Sequence, residues 1–175
     1  MTTTTLYRLG TYPGQIGECQ NSWRGAMYVW TDIARRYCGF ETFPMFDEVA
    51  RNRVWNVWRS EPMPLHDAVV LLSTMDYATI SARDVPAVAN AFEMYGRNHP
   101  ESSLCEQAAL LRAARFEDGD VVAWRQTSVS EFWGETWLPE PNDDGDEAKY
   151  YDPAKGDRHF DAYAEALEAA QVLTV

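Results

Sequence analysis

Glu117-Asp118-Gly119-Asp120-Val121-Val122-Ala123-Trp124-Arg125-Gln126-Thr127 is the stretch on which the fold turns. Upstream of it, apolar residues recur every three or four positions, the period of a helix. Within it they run together through β-branched and aromatic types, the pattern of a strand. The Asp-Gly pair before Val121 is a turn signal. The same stretch divides the chain by charge. Residues 1–115 carry 11 basic and 12 acidic side chains, net −1. Residues 116–175 carry 4 and 15, net −11.

Working upstream, Ser103-x-x-Glu106 predicts a capping box for a helix with Leu104, Ala108, Leu111 and Arg115 along one side. Pro86 fits a first helical turn. Val85, Val88, Ala89, Phe92 and Tyr95 form the apolar face of that helix, and Gly96 is its expected stop. Tyr77 to Ile80 reads as a short extended piece. Leu65 to Met75 fits a buried helix or a strand, with Asp67 near its start favouring helix. Asp47 is placed to cap a helix through Val49, Arg53, Val54, Val57 and Trp58, ending before Pro62 and Pro64. Trp23, Met27, Trp30, Ala34 and Tyr37 predict one face of a helix over about 22–38. Arg35 and Arg36 lie in its last turn and Gly39 ends it. Leu6 to Leu9 reads as a strand, and Pro13-Gly14 with Gly17 as a loop.

Working downstream, Phe132 to Leu138 predicts a second strand paired with the first as a hairpin. Pro139 to Lys149 is an acidic exposed loop, and His159 to Leu173 returns to helical spacing through Phe160, Tyr163, Leu167 and Ala170. Strands segregated from helices argue an α+β fold. The expectation is one domain over 1–175, mostly helical in its first two-thirds, with a small antiparallel sheet and a C-terminal helix. Within it, 1–115 is a near-neutral helical part and 116–175 an acidic hairpin, loop and helix. With 46% hydrophobic and 13% aromatic residues, 175 residues suffice for a core without staples.

Met-Thr-Thr-Thr-Thr begins the chain with neither a basic start nor an apolar core behind it. No apolar run approaches the ~20 residues of a bilayer span. Cys19, Cys38 and Cys105 are scattered and odd in number, as expected of buried free thiols in a reducing compartment. These features predict a cytoplasmic protein.

Catalytic motifs are weak. Neither phosphate-loop glycine fingerprint occurs, nor a G-x-S-x-G elbow. From Glu140, a calcium-loop frame fits Asn142, Asp144 and Gly145 but ends on Tyr151 instead of glutamate. His159 with Asp157 and Asp161 could hold an ion in part, yet acids at a helix start are explained by its dipole. Glu131 and Glu135 beside Phe132, Trp133 and Trp137 have the residue types of a glycosidase. Four residues along a strand span ~13 Å, wider than the ~5–9.5 Å between such carboxyls. No cofactor and no metal are expected.

The arginines are scattered among acids, with one local group at Arg51, Arg53 and Arg59 around Trp55 and Trp58, so direct nucleic-acid binding is disfavoured. The acidic third supports the reverse: carboxylates standing in for phosphates on a basic, nucleic-acid-processing partner such as a nuclease or CRISPR effector. The expected contacts are Glu117, Asp118, Asp120, Asp143, Asp144, Asp146 and Glu147, with Trp133, Trp137, Tyr150 and Tyr151 as anchors. Asp152 and Asp157 add to the same charge. This predicts a stoichiometric inhibitor of the phage anti-defence kind, anti-CRISPR or anti-restriction. The alternatives are a small hydrolase using Glu131 and Glu135, or a phage structural or assembly protein.

Overall fold

Two β-branched or aromatic-rich runs, 3–9 and 121–126, lie side by side at the centre of the sheet in the computed structural model, which describes residues 3–10, 12–20, 24–75, 78–126 and 160–172. In chain order the strands are β1 (Thr3–Leu9), β2 (Gly14–Gln20), β3 (Ala78–Ser81), β4 (Val121–Gln126) and β5 (Phe160–Asp161). The helices are α1 (Ala26–Ile33), α2 (Glu48–Trp55), α3 (Leu65–Leu72), α4 (Val85–Asn98), α5 (Leu104–Ala113) and α6 (Ala162–Val172). The sheet order is β2-β1-β4-β3-β5. The first four strands are antiparallel, and the two-residue β5 runs parallel to β3. The α+β architecture with a C-terminal helix is therefore as expected.

The expected hairpin partner of β4, 132–138, lies outside the described residues. Over 121–123 both edges of β4 are taken, by β1 on one side and β3 on the other. The strand most distant in sequence became its neighbour because burial on both faces suits a central position. β2 is a correction: Pro13-Gly14 with Gly17 was expected as a loop, yet Gly14–Gln20 pairs with β1 from Thr3↔Gln20 to Arg8↔Gly14, with a bulge between Leu6 and Tyr7. Its glycines hid the strand. Gly17 has a packing reason, since a Cβ there would meet the Leu110 side chain of α5 at 2.6 Å.

Leu6 on β1 sits opposite Trp124 on β4, and Ile80 opposite Val122, giving the sheet an apolar face that joins the helical core. α3 is the centre of the helical layer. Every residue from Asp67 to Leu72 is buried, and the helix packs on α1, α4 and α6. The 65–75 ambiguity thus resolves as helix, because neighbours on all sides replace the amphipathic signal. Asp47 caps α2, accepting from Ala50 N at 3.0 Å.

Five local expectations change. On α1 the buried seam is Ala26, Val29 and Ile33, with Met27 and Trp30 half-buried at its flank. Gly96 does not stop α4, which continues to Asn98. It lies against α5, where a Cβ would come 2.9 Å from the Cys105 backbone nitrogen. The capping box does not form: Ser103 accepts from the Gln107 amide at 3.2 Å, and Glu106 pairs with Arg24 at 2.7 Å. Cys105 is exposed, whereas Cys19 and Cys38 are buried. On α6, Ala162 and Ala166 are the buried positions, with Tyr163 packed beside them. No helix among the described residues is long and apolar enough to cross a membrane.

Candidate functional site

The acidic part of the sequence begins at the turn entering β4. Glu117 and Asp118 are exposed, and Gly119 takes the left-handed conformation at φ 88° that lets the chain reverse. Asp120 differs from the expectation. It is only 2% exposed, and its carboxylate accepts from the Glu117 backbone N–H at 2.8 Å. Its carbonyl accepts from Ala82 N at 2.9 Å, tying the turn to the end of β3. Asp120 therefore shapes the turn and presents little charge to a partner. Trp133, Trp137, Asp143, Asp144, Asp146, Glu147, Tyr150 and Tyr151 lie outside the described residues, as do Glu131, Glu135, Asp157 and His159. Asp161 caps α6, accepting from Tyr163 N and Ala164 N at 3.0 Å each. Among the described residues no group of three or more His, Cys, Asp or Glu could hold a metal ion.

A second polar constellation was not foreseen. After Ile33, α1 widens into a π-helical turn over Ala34–Cys38, closed by Gly39 at φ 74°. Such turns are rare and frequently sit at functional sites. This one carries Arg36 and Tyr37 onto the same oxygen of Asp67, a carboxylate 1% exposed on α3. Arg36 Nη1 donates to it at 2.6 Å and the Tyr37 hydroxyl at 2.5 Å. The other edge of the guanidinium holds Asp32 of α1, Nη2 at 2.5 Å and Nε at 2.9 Å. Tyr95 of α4 donates to the same Asp32 oxygen at 2.7 Å. His99 stacks on Tyr95 with ring centroids 4.3 Å apart, and its Nε2 lies 3.6 Å from Asp32. His66 Nε2 lies 3.4 Å from Asp67.

The electrostatics describe a strut. Burial works against the Arg36 charge, but hydrogen bonds to Asp67 and Asp32 outweigh it and raise the guanidinium above its ordinary value. Burial, then the hydrogen bond to Asp67, pushes the Tyr37 hydroxyl up; burial and Asp32 do the same to Tyr95. A tyrosine so held is a donor and a poor nucleophile. Each guanidinium nitrogen is committed to a carboxylate, leaving no free fork for an anionic ligand. The cluster binds α1, α3 and α4 together. One sequence signal pointed to it: an aspartate directly before the apolar run Ala68-Val69-Val70-Leu71-Leu72 must find a cation if the helix buries it.

The basic-aromatic group is also real in space. Arg51 lies over Trp55 at 5.3 Å, Arg59 over Trp58 at 4.5 Å, and Arg53 over Phe40 at 5.7 Å. Each guanidinium rests on a ring of its own neighbourhood, so the three do not converge on one phosphate-sized target. The chain matches no protein-family model, no curated protein and no solved structure.

Proposed function

We propose that this protein is an acidic stoichiometric inhibitor that occupies the nucleic-acid-binding surface of a basic partner, such as a restriction nuclease or a CRISPR effector. The observation that carries this reading is the partition of charge: net −1 over 1–115 and net −11 over 116–175. Within the first part, acids are matched to bases at short range: Arg36 with Asp32 and Asp67, Arg112 and Arg97 with Glu93, Arg24 with Glu106. The last part has too few cations to do the same. Exposed Glu117 and Asp118 supply its first charges. Carboxylates spread over a surface steer a cationic groove toward them and hold it by charge-assisted hydrogen bonds.

The test is capture from a bacterial lysate on the immobilised protein, washed at rising salt. The expected catch is a nucleic-acid-processing protein that is retained at low salt, released at high salt and displaced by DNA or RNA. Reversing Asp143, Asp144, Asp146 and Glu147 to Lys should abolish capture. A variant that captures the same partner as before would remove the acidic segment from the interface.

A further inference from the structure

We propose that the corner where α1 ends and the chain turns toward α2 is a binding site for a small zwitterion, an α-amino acid with an aromatic side chain. The corner holds an open cleft of about 520 Å³, lined by Arg35, Gly39, Phe40, Glu41 and Thr42. Small-molecule sites typically enclose ~300–1,000 Å³.

The cleft lies at the π-helical turn, on which adjacent arginines have opposite duties. Arg36 turns inward to the carboxylates of Asp32 and Asp67, and Arg35 stays exposed. Gly39 closes the turn at φ 74°, and a Cβ there would meet nothing within 4 Å, so the cleft is open at that point.

The lining offers three kinds of contact. Arg35 is placed by one bond, Nη2 to the Glu41 carbonyl at 3.3 Å, and forms no ion pair among the described residues. Its remaining N–H groups suit a carboxylate. Glu41 and Thr42 are exposed, and their side chains make no hydrogen bond or ion pair among the described residues. A carboxylate and a hydroxyl are acceptors for an ammonium group. Phe40 is half-buried, with the core behind it and the Arg53 guanidinium 5.7 Å over its ring. A ring so held is the apolar contact of the site.

Charge selects the ligand. Arg35 and Glu41 are the two ionisable groups of the lining, and their charges cancel. On a chain of net −12, a site with no excess of positive charge disfavours a phosphate or a simple carboxylate. One molecule with a carboxylate and an ammonium answers both groups, and an aromatic side chain answers Phe40.

The test is a titration of the isotope-labelled whole chain with L-phenylalanine, read as amide shifts by NMR. The expected result is saturable shifts centred on 35–42. Phenylpropionate, which lacks the ammonium, and phenethylamine, which lacks the carboxylate, should each bind more weakly. Arg35→Gln and Glu41→Gln should each weaken phenylalanine binding by about tenfold, the loss expected of one charge-assisted hydrogen bond. Gly39→Asn, a residue that tolerates the left-handed backbone, should fill the cleft and abolish binding. An amide spectrum unchanged outside the corner confirms that each variant is folded. No saturable shift up to the solubility limit of phenylalanine overturns the proposal. So does equal binding of phenylpropionate, or binding that survives Arg35→Gln and Glu41→Gln together. The cleft belongs to the near-neutral part of the chain, so these results leave the role of the acidic residues after 116 to its own test.

Discussion

The Arg36 cluster and the acidic turn at 117–120 are both rich in carboxylates, and they treat them oppositely. At Arg36 two carboxylates from different helices share one guanidinium, and two tyrosine hydroxyls complete the set. At 117–120 one carboxylate, Asp120, is folded inward onto a backbone N–H, while Glu117 and Asp118 face water. Charge inside the helical layer fixes helices to one another. At the turn, Glu117 and Asp118 stay in water, and the sequence over 116–175 carries 15 acidic against 4 basic side chains. An inward carboxylate is tied into the fold, and an outward one is left to water.

The sharpest way to break this contrast is to remove the cation. Arg36→Met leaves Asp67 buried with the Tyr37 hydroxyl as its main donor. We expect a loss of about 2–4 kcal/mol in denaturant unfolding, somewhat under the ~3–5 of a fully buried pair because Arg36 is partly open to water. A loss below ~1 kcal/mol would mean that water replaces the guanidinium.

Next comes alkaline pH. The Tyr37 and Tyr95 hydroxyls are raised by burial and by their carboxylate partners. The unfolded chain therefore releases its protons first as pH climbs past the ordinary tyrosine value of ~10. Native stability is full below that value and falls above it. Tyr37→Phe should flatten part of the decline in a pH series of unfolding curves, while an unchanged slope would assign the effect to other groups.

The charge-reversed variant at Asp143, Asp144, Asp146 and Glu147 should stay within ~0.5 kcal/mol of the parent while losing its partner. A large loss of stability would place those carboxylates in the fold and not on an interface.

The smallest effect is on labelling rates. Burial pushes the Cys19 thiol up to about 11, and burial also raises Cys38. Cys105 is exposed. A thiol reagent at neutral pH should modify Cys105 first and the other two only on unfolding. Equal rates for all three would show that the sheet and α2 open readily.

Much of the fold was legible. The buried face of α4 at Val85, Val88, Ala89, Phe92 and Tyr95 and the Asp47 cap of α2 follow from spacing and capping chemistry, which act over a few residues. β2 was not legible, since two glycines and a preceding proline mimic a loop until β1 is there to pair with them. Val49 belonged to an apparent apolar face, yet the face that found a partner was Val54, Val57 and Trp58. The polar cluster was half visible. Asp67 at the head of an apolar run points to a buried acid, but nothing local says that its cation lies 31 positions earlier, on a widened turn.

The sequence by itself determined most of the periodicities, the Asp47 cap, the Gly39 stop and the partition of charge, because each depends on residue types at short separations. The tertiary structure alone decided which strand lies beside β4, which end of each apolar stripe is covered, and which carboxylates turn inward. Those choices depend on surfaces brought together from distant parts of the chain, where burial forces every charge to find a partner or remain in water.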